Sequence, residues 1–267
     1  GQATGDTNPD DVGGGFYCDG SGSGNVCSPT LRNLRFIENT AIDFGGAIAN
    51  NGVGGVASPS ILNTVFEENS ASRVGGAIYN NGQNGGTASP SIINSAFVRN
   101  TSPNGGAIYS DGPNGESSPT ILNSVFTRNG AGDRGGAIYN NGTSGVSAPL
   151  IQNTVLWGNN ANNFGNEIFN LNASPTVESS IVQNGEAGIF DNGGTTTYAA
   201  SNIDEDPLFV DSSLPTGGDN TYGTADDGLR LLQVSPATDA GQNGPFETGG
   251  VAEGISSDLR GEARIAD

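Results

Sequence analysis

The chain has 267 residues, 44 of them glycine, and a formal charge of −19; its nine basic residues are all arginine, and lysine, histidine and methionine are absent. Such a surface repels phosphate backbones and anionic lipid, which argues against nucleic-acid partners and direct membrane insertion and leaves cations as the natural counterpart. No stretch approaches the roughly 20 apolar residues of a membrane-spanning helix, and an acidic, lysine-free surface suits a salty or extracellular medium.

The first segment carries no initiator methionine and no signal peptide, so the sequence is expected to start after processing or to be an excised piece. Cys18 and Cys27, the only cysteines, flank the flexible run CDGSGSGNVC. For an exported protein a local disulfide is favoured over two free thiols. Two thiols without histidine give zinc no tetrahedral ligand set.

Beyond this the chain is periodic. Gly45, Gly75, Gly105, Gly135 and Gly165 are each 30 residues apart, and the first four open GGAIANNG, GGAIYNNG, GGAIYSDG and GGAIYNNG. FIEN (36–39), FEEN (66–69), FVRN (97–100), FTRN (126–129), LWGN (156–159) and IVQN (181–184) run in step with them. So does an SP or AP pair at Pro29, Pro59, Pro90, Pro119, Pro149 and Pro175. Each unit reads as short β-branched stretches such as SPTILNSVFTRN, a shorter GGAIYN, and a polar glycine-rich loop. No window shows a 3.6-residue period. Short strands with identical residues at identical phase predict an all-β parallel solenoid of about six to seven coils, stacked at about 4.8 Å.

Alignment of the coils predicts side-chain columns. Phe16, Ile48, Ile78, Ile108, Ile138, Ile168 and Ile189 are placed inside, as are the columns of Ile61 and Phe66. The preceding column contains Ala47, Ala77, Ala107, Ala137 and Glu167, and the glutamate argues that it faces out. By alternation Tyr79, Tyr109, Tyr139 and Phe169 face out as well. Asn33, Asn63, Asn94, Asn123 and Asn153, with Asn39, Asn69, Asn100, Asn129, Asn159 and Asn184, fall at bends and are read as amide staples between coils.

GGAI paired with FxxN resembles the repeat of polymorphic outer-membrane autotransporter passengers. DDVGGGFY followed by SPTLRNLRFIENTA resembles bacterial right-handed parallel β-helix proteins of the choice-of-anchor Q type. DPLFVD (206–211), GTADDGLRLLQVSPATDAG (223–241) and DLRGEARIAD (258–267) match the coda of those proteins. The resemblance implies an exported protein, surface-attached or released, mostly without an assigned activity. It departs at the ends, where further coils and a sorting signal usually stand.

Four candidate sites follow. Tyr79, Tyr109, Tyr139 and Phe169 would form a ring ladder able to carry sugar, although adjacent aromatic strands also stabilise a sheet by roughly 0.2–1 kcal/mol per pair. GGDNTYGTADDG (217–228) places Asp219, Asn220, Asp226 and Asp227 near a backbone carbonyl at Tyr222, a set of hard oxygens for structural Ca²⁺; the alternative is an acidic turn capped by its own side chains. Glu68–Arg99 and Asp43–Arg73 are expected as cross-rung ion pairs. Thr64, Ser95, Ser124, Thr154 and Ser180 form a small hydroxylated column of the kind that orders water on ice-binding faces.

Scattered carboxylates (Asp111 and Glu116, Asp133, Glu167, Glu178) leave a polysaccharide lyase or glycoside hydrolase as an alternative, for which only Glu38 and Glu68 beside Arg99 put two acids and a basic residue in one column. The expectation is therefore coils over 1–195 and an irregular cap over 196–267. Together they would make a non-catalytic extracellular or cell-surface scaffold or adhesin module. Its expected partners are polysaccharide, cell-surface proteins or further copies stacked end to end.

Overall fold

The structure, a computed structural model, describes residues 1–5, 10–250, 252, 253 and 255. The strands stack into four main sheets in which every pairing is parallel, the arrangement of a β-solenoid. Sheet I has seven strands and carries the GGAIYN segments, from Phe16–Asp19 through Ile78–Asn81 to Ile189–Asn192. Sheet II, also seven-stranded, carries the SPTIL segments from Thr30–Arg32 to Thr197–Tyr198. Sheet III has six strands, from Arg35–Ile37 to Ile181–Val182, and holds the phenylalanines. Sheet IV has six strands, from Gln2–Ala3 to Asn160–Ala161. Register follows the sequence repeat: Ile78 pairs with Ile48 and Ile108, and Phe97 with Phe66 and Phe126.

The core is a set of like-on-like columns. Ile48, Ile78, Ile108, Ile138 and Ile168 face Ile61, Ile92, Ile121 and Ile151 across the coil, all fully buried. The Phe66, Phe97 and Phe126 rings stack at 4.6 and 4.4 Å with planes within 5°. Stacks of this kind contribute about 0.5–1.5 kcal/mol per pair beyond the area they bury.

Ala47, Ala77, Ala107 and Ala137 also lie in this core, fully buried, which corrects the outward placement of their column. The reason is local. The N–H groups of both Ala77 and Ile78 donate to the Ala107 carbonyl, each at 2.9 Å, so the chain turns a corner here instead of alternating. Gly76 enforces that corner, because a Cβ there would stand 2.1 Å from the Gly106 carbonyl oxygen of the next coil.

The asparagines staple the turns. Asn39, Asn69, Asn100 and Asn129 each donate a side-chain N–H to the amide oxygen one coil on, at 2.8–2.9 Å. Their backbone N–H groups donate to the same oxygens at 2.9–3.0 Å. Asn184 does not continue this ladder: it is exposed and precedes a short 3₁₀ turn at Gly185–Gly188. Glu167 ends the ladder instead, accepting from Asn159 Nδ2 at 2.6 Å inside the core. Asn33, Asn63, Asn94, Asn123 and Asn153 all adopt φ between 47° and 56°, the left-handed bend between sheets II and III that asparagine tolerates.

Residues after the coils do more than cover the last rung. Thr197–Tyr198 and Ile203 extend the stack, and Tyr198 packs on the core. The chain then returns along the outside. Tyr222 and Leu229 pack on Val65, Ala96 and Val98 of sheet III, and Phe246, Ala252 and Ile255 pack on Leu62, Ile93 and Leu122 of sheet II. DPLFVD and GLRLL meet as an antiparallel bridge, Phe209 opposite Leu231. DLRGEARIAD lies outside the described residues.

Candidate functional site

Sheet I sets Tyr79, Tyr109, Tyr139 and Phe169 in register, one per coil. The column points away from the isoleucine core, yet it is not an open platform. Tyr79 is 7%, Tyr139 5% and Phe169 1% exposed. The centroids lie 6.0 Å apart for Tyr79–Tyr109, 4.5 Å for Tyr109–Tyr139 and 4.8 Å for Tyr139–Phe169. Neighbouring rings therefore occupy one another's faces, and a sugar docks on a face.

A further ring stands at each end of the ladder, Phe44 half-buried and Phe190 exposed. Where Ala49 interrupts the column, the Phe44 ring from the bend before it stacks on Tyr79 at 4.8 Å. Phe190 follows Phe169 at 5.6 Å. The Arg73 and Arg134 guanidinium carbons stand 5.0 and 5.3 Å from the Phe44 and Phe169 ring centroids. This corrects the expectation of an exposed ring ladder.

At the centre of the ladder lies a buried polar hub that the columns alone did not single out. Asp111 replaces the asparagine found at Asn51, Asn81 and Asn141. One of its oxygens accepts from the Tyr79 hydroxyl at 3.0 Å and from Gln83 Nε2, and the other from Asn141 Nδ2 at 2.8 Å. Burial raises the Asp111 carboxyl above its ordinary range, against the three hydrogen bonds that lower it. Burial, then the adjacent Asp111 charge, pushes Tyr79 and Tyr109 well above the ordinary phenol range. Both hydroxyls are protonated donors at any physiological pH, which suits a fixed network and not proton transfer. The signal was legible as SD standing where the other copies read NN.

Three further candidates rearrange. In the 217–228 loop Asp226 accepts from the Gly218 and Asp219 N–H groups, Asp219 from Thr221, and Asp227 from Gly223, at 2.7–3.2 Å. The hydrogen bond from Thr224, then backbone donors, lowers the Asp226 carboxyl. Asn220 sits in the left-handed region, and the Tyr222 side chain turns onto sheet III. Among the described residues no group of three or more acidic, histidine or cysteine side chains gathers at one point. The loop carboxylates are engaged as turn caps.

Thr64, Ser95, Ser124, Thr154 and Ser180 are buried, not displayed. Each hydroxyl donates to the carbonyl two residues back at 2.9–3.1 Å. Each of the first four residues donates its N–H to the next hydroxyl at 3.1–3.4 Å. This column therefore offers no face for ordering water, which corrects the placement on which the ice-binding alternative rested.

Arg99 pairs with Glu68 at 2.7 Å as expected, and also with Glu67 at 2.7 Å; Arg73 reaches Asp43 at 3.5 Å. Arg99 and Arg128 reach over to Ser213 and Ser212, so these outward charges tether the returning segment. Burial raises the Glu67 carboxyl above its usual range, against the Arg99 charge that lowers it. Cys18 and Cys27 form the disulfide, with Cα atoms 5.6 Å apart, tying the first strand of sheet I to the base of its loop.

Comparison with known proteins agrees with the repeat. Residues 63–81 and 123–141 match the model of the Chlamydia polymorphic membrane protein repeat. No curated protein and no solved structure matches the chain. Each matched segment runs from the left-handed asparagine corner through FEEN or FTRN to GGAIYNN, the landmarks that the coils turn into core and staples. The chain is a parallel β-solenoid whose coils carry polymorphic-membrane-protein-like repeats.

Proposed function

We propose that this chain is a module of a cell-surface protein of the autotransporter type: a stiff, non-catalytic solenoid that holds binding elements away from the cell. The observation that carries this reading is the match of two repeats to a surface-protein repeat, on a coil whose repeated residues are spent on core and staples. The acidic, lysine-free surface supports an extracellular setting. Partners would be glycans or other surface proteins, met by the loops and outer faces instead of the ring ladder.

Antibody labelling and proteinase shaving of intact cells expressing the gene test the reading. Labelling without permeabilisation is expected, together with protease-resistant fragments spanning the coils. Labelling only after permeabilisation would refute it.

A further inference from the structure

The chain contains ten Asn–Gly pairs, and the fold treats them unequally. An Asn–Gly pair can modify itself without an enzyme. The glycine nitrogen bonds to the asparagine side-chain carbonyl carbon, the amide group leaves as ammonia, and a cyclic succinimide closes. Water then opens the ring to aspartate, or to isoaspartate, in which the main chain runs through the former side chain. The first step needs a glycine N–H that is not held elsewhere, and the missing Cβ gives that nitrogen room.

Seven of the pairs lie in the repeated coils, from Asn51–Gly52 to Asn141–Gly142. In each the glycine N–H donates to a backbone carbonyl at 2.6–3.0 Å, and in six that carbonyl belongs to an adjacent coil. The other three glycines, Gly185, Gly193 and Gly244, donate to no backbone carbonyl among the described residues. Two of these are confined in other ways. Gly185 is buried. Gly193 presses on Asn172, where a Cβ would stand 2.4 Å from Oδ1. Asn243 and Gly244, by contrast, are both exposed. The Asn243 side chain makes no capping hydrogen bond to the short turn it precedes, and nothing stands within 4 Å of where a Gly244 Cβ would be.

The pair sits at a joint of the returning segment. On one side, Gln242 N–H donates to Asn153 Oδ1 and Asn153 Nδ2 donates to the Gln242 carbonyl, both at 2.8 Å. On the other, Phe246 packs with Ala252 and Ile255 on Leu62, Ile93 and Leu122 of sheet II. The turn between them is closed by the Phe246 N–H, which donates to the Asn243 carbonyl at 2.8 Å. In isoaspartate that carbonyl leaves the main chain and becomes a pendant carboxylate, while the main chain gains one atom. The acceptor that closes the turn is thereby displaced, and a negative charge is added to a chain that already carries −19.

We propose that Asn243–Gly244 is a self-modification site, and that its isoaspartate product loosens the Phe246 end of the returning segment from sheet II.

Peptide mass spectrometry of the full chain, aged in mildly alkaline buffer, follows all the pairs and separates isoaspartate from aspartate by electron-transfer fragmentation. Asn243 is expected to convert at least tenfold faster than any of the seven coil pairs in the folded chain, and this gap is expected to close in guanidinium. Gly244→Ala, for which the turn has room, is expected to slow conversion at Asn243 tenfold or more. Three results would overturn the site: coil pairs converting as fast as Asn243, a gap that persists in guanidinium, or an unchanged rate in Gly244→Ala. Hydrogen exchange of the aged wild type beside aged Gly244→Ala reads the loosening. Exchange over residues 244–250 is expected to be faster in the converted chain, with the coils unaltered. Identical exchange in the two would overturn the loosening.

Discussion

Glu167 occupies a column otherwise filled by alanine, and burial pushes its carboxyl up to about 8, against the Asn159 hydrogen bonds that lower it. Its Oε1 has no hydrogen-bond partner among the described residues. The folded chain therefore holds a proton there that the unfolded chain releases near the ordinary value of 4.5. Between these values the native state binds more protons, so stability falls as pH rises from about 4.5 through about 8. The size is on the order of 3–5 kcal/mol, at about 1.4 kcal/mol per pKa unit. Thermal melting from pH 5 to 9 is expected to show this decline in wild type. Glu167→Gln, which has no carboxyl to titrate, is expected to flatten it and to melt higher at alkaline pH; parallel profiles would contradict the assignment.

Asn100 carries a different kind of weight. It donates to Asn129 and to the Phe66 carbonyl and accepts twice from Asn69, all at 2.8–3.0 Å and buried. Asn100→Ala leaves several of these groups unpaired, at about 1–3 kcal/mol each. A loss of about 3 kcal/mol or more in denaturant unfolding is expected.

At the scale of the element, the strand is a rung and its worth depends on its neighbours. Phe97 lies between two parallel rings, and Phe97→Ala should cost about 3–5 kcal/mol through the cavity it opens. Ser110 interrupts a second amide column: Asn50 donates to Asn80 and Asn140 to Asn170, but Asn80 Nδ2, Ser110 Oγ and Asn140 Oδ1 are buried without partners among the described residues. Ser110→Asn supplies an acceptor for Asn80 and a donor for Asn140. It is expected to raise the melting temperature by a few degrees, corresponding to about 1 kcal/mol. A lowered Tm would mean the extra volume does not fit. In the 217–228 loop the Asp219, Asp226 and Asp227 carboxylates are held by backbone N–H groups. EGTA is expected to leave the melting temperature unchanged, and a drop would restore calcium to the loop.

These elements also show what was legible in the sequence. The isoleucine, phenylalanine and asparagine columns were legible because identical neighbours at a fixed spacing leave few ways to stack. The corner at Ala77–Ile78 was not, because strict alternation fails where two consecutive N–H groups share one carbonyl. Alternation and the glutamate in that column together placed alanine outside, yet Glu167 is itself buried. The tyrosines were placed off the core correctly, but covering depends on Phe44 and the arginines, whose reach the column pattern does not encode. The path of the returning segment depends on contacts far apart in the chain, such as Tyr222 on Val65.

Across the whole molecule, the repeated residues are consumed by the fold. Isoleucine and phenylalanine fill it, asparagine and the small hydroxyls staple it, and tyrosine closes one face around Asp111. What is not consumed is the non-repeated surface: the loops and the outer charges. That division of labour fits the surface module proposed above. Hydrogen exchange of the full chain, followed by mass spectrometry, tests this division most directly. The GGAIYN and FxxN segments of residues 61–171 are expected to exchange together and at least a thousandfold more slowly than the glycine-rich loops near 22–25 and 83–86. Exchange of the GGAIYN segments as fast as those loops would mean that the ring ladder is open and that its tyrosines belong to a binding face.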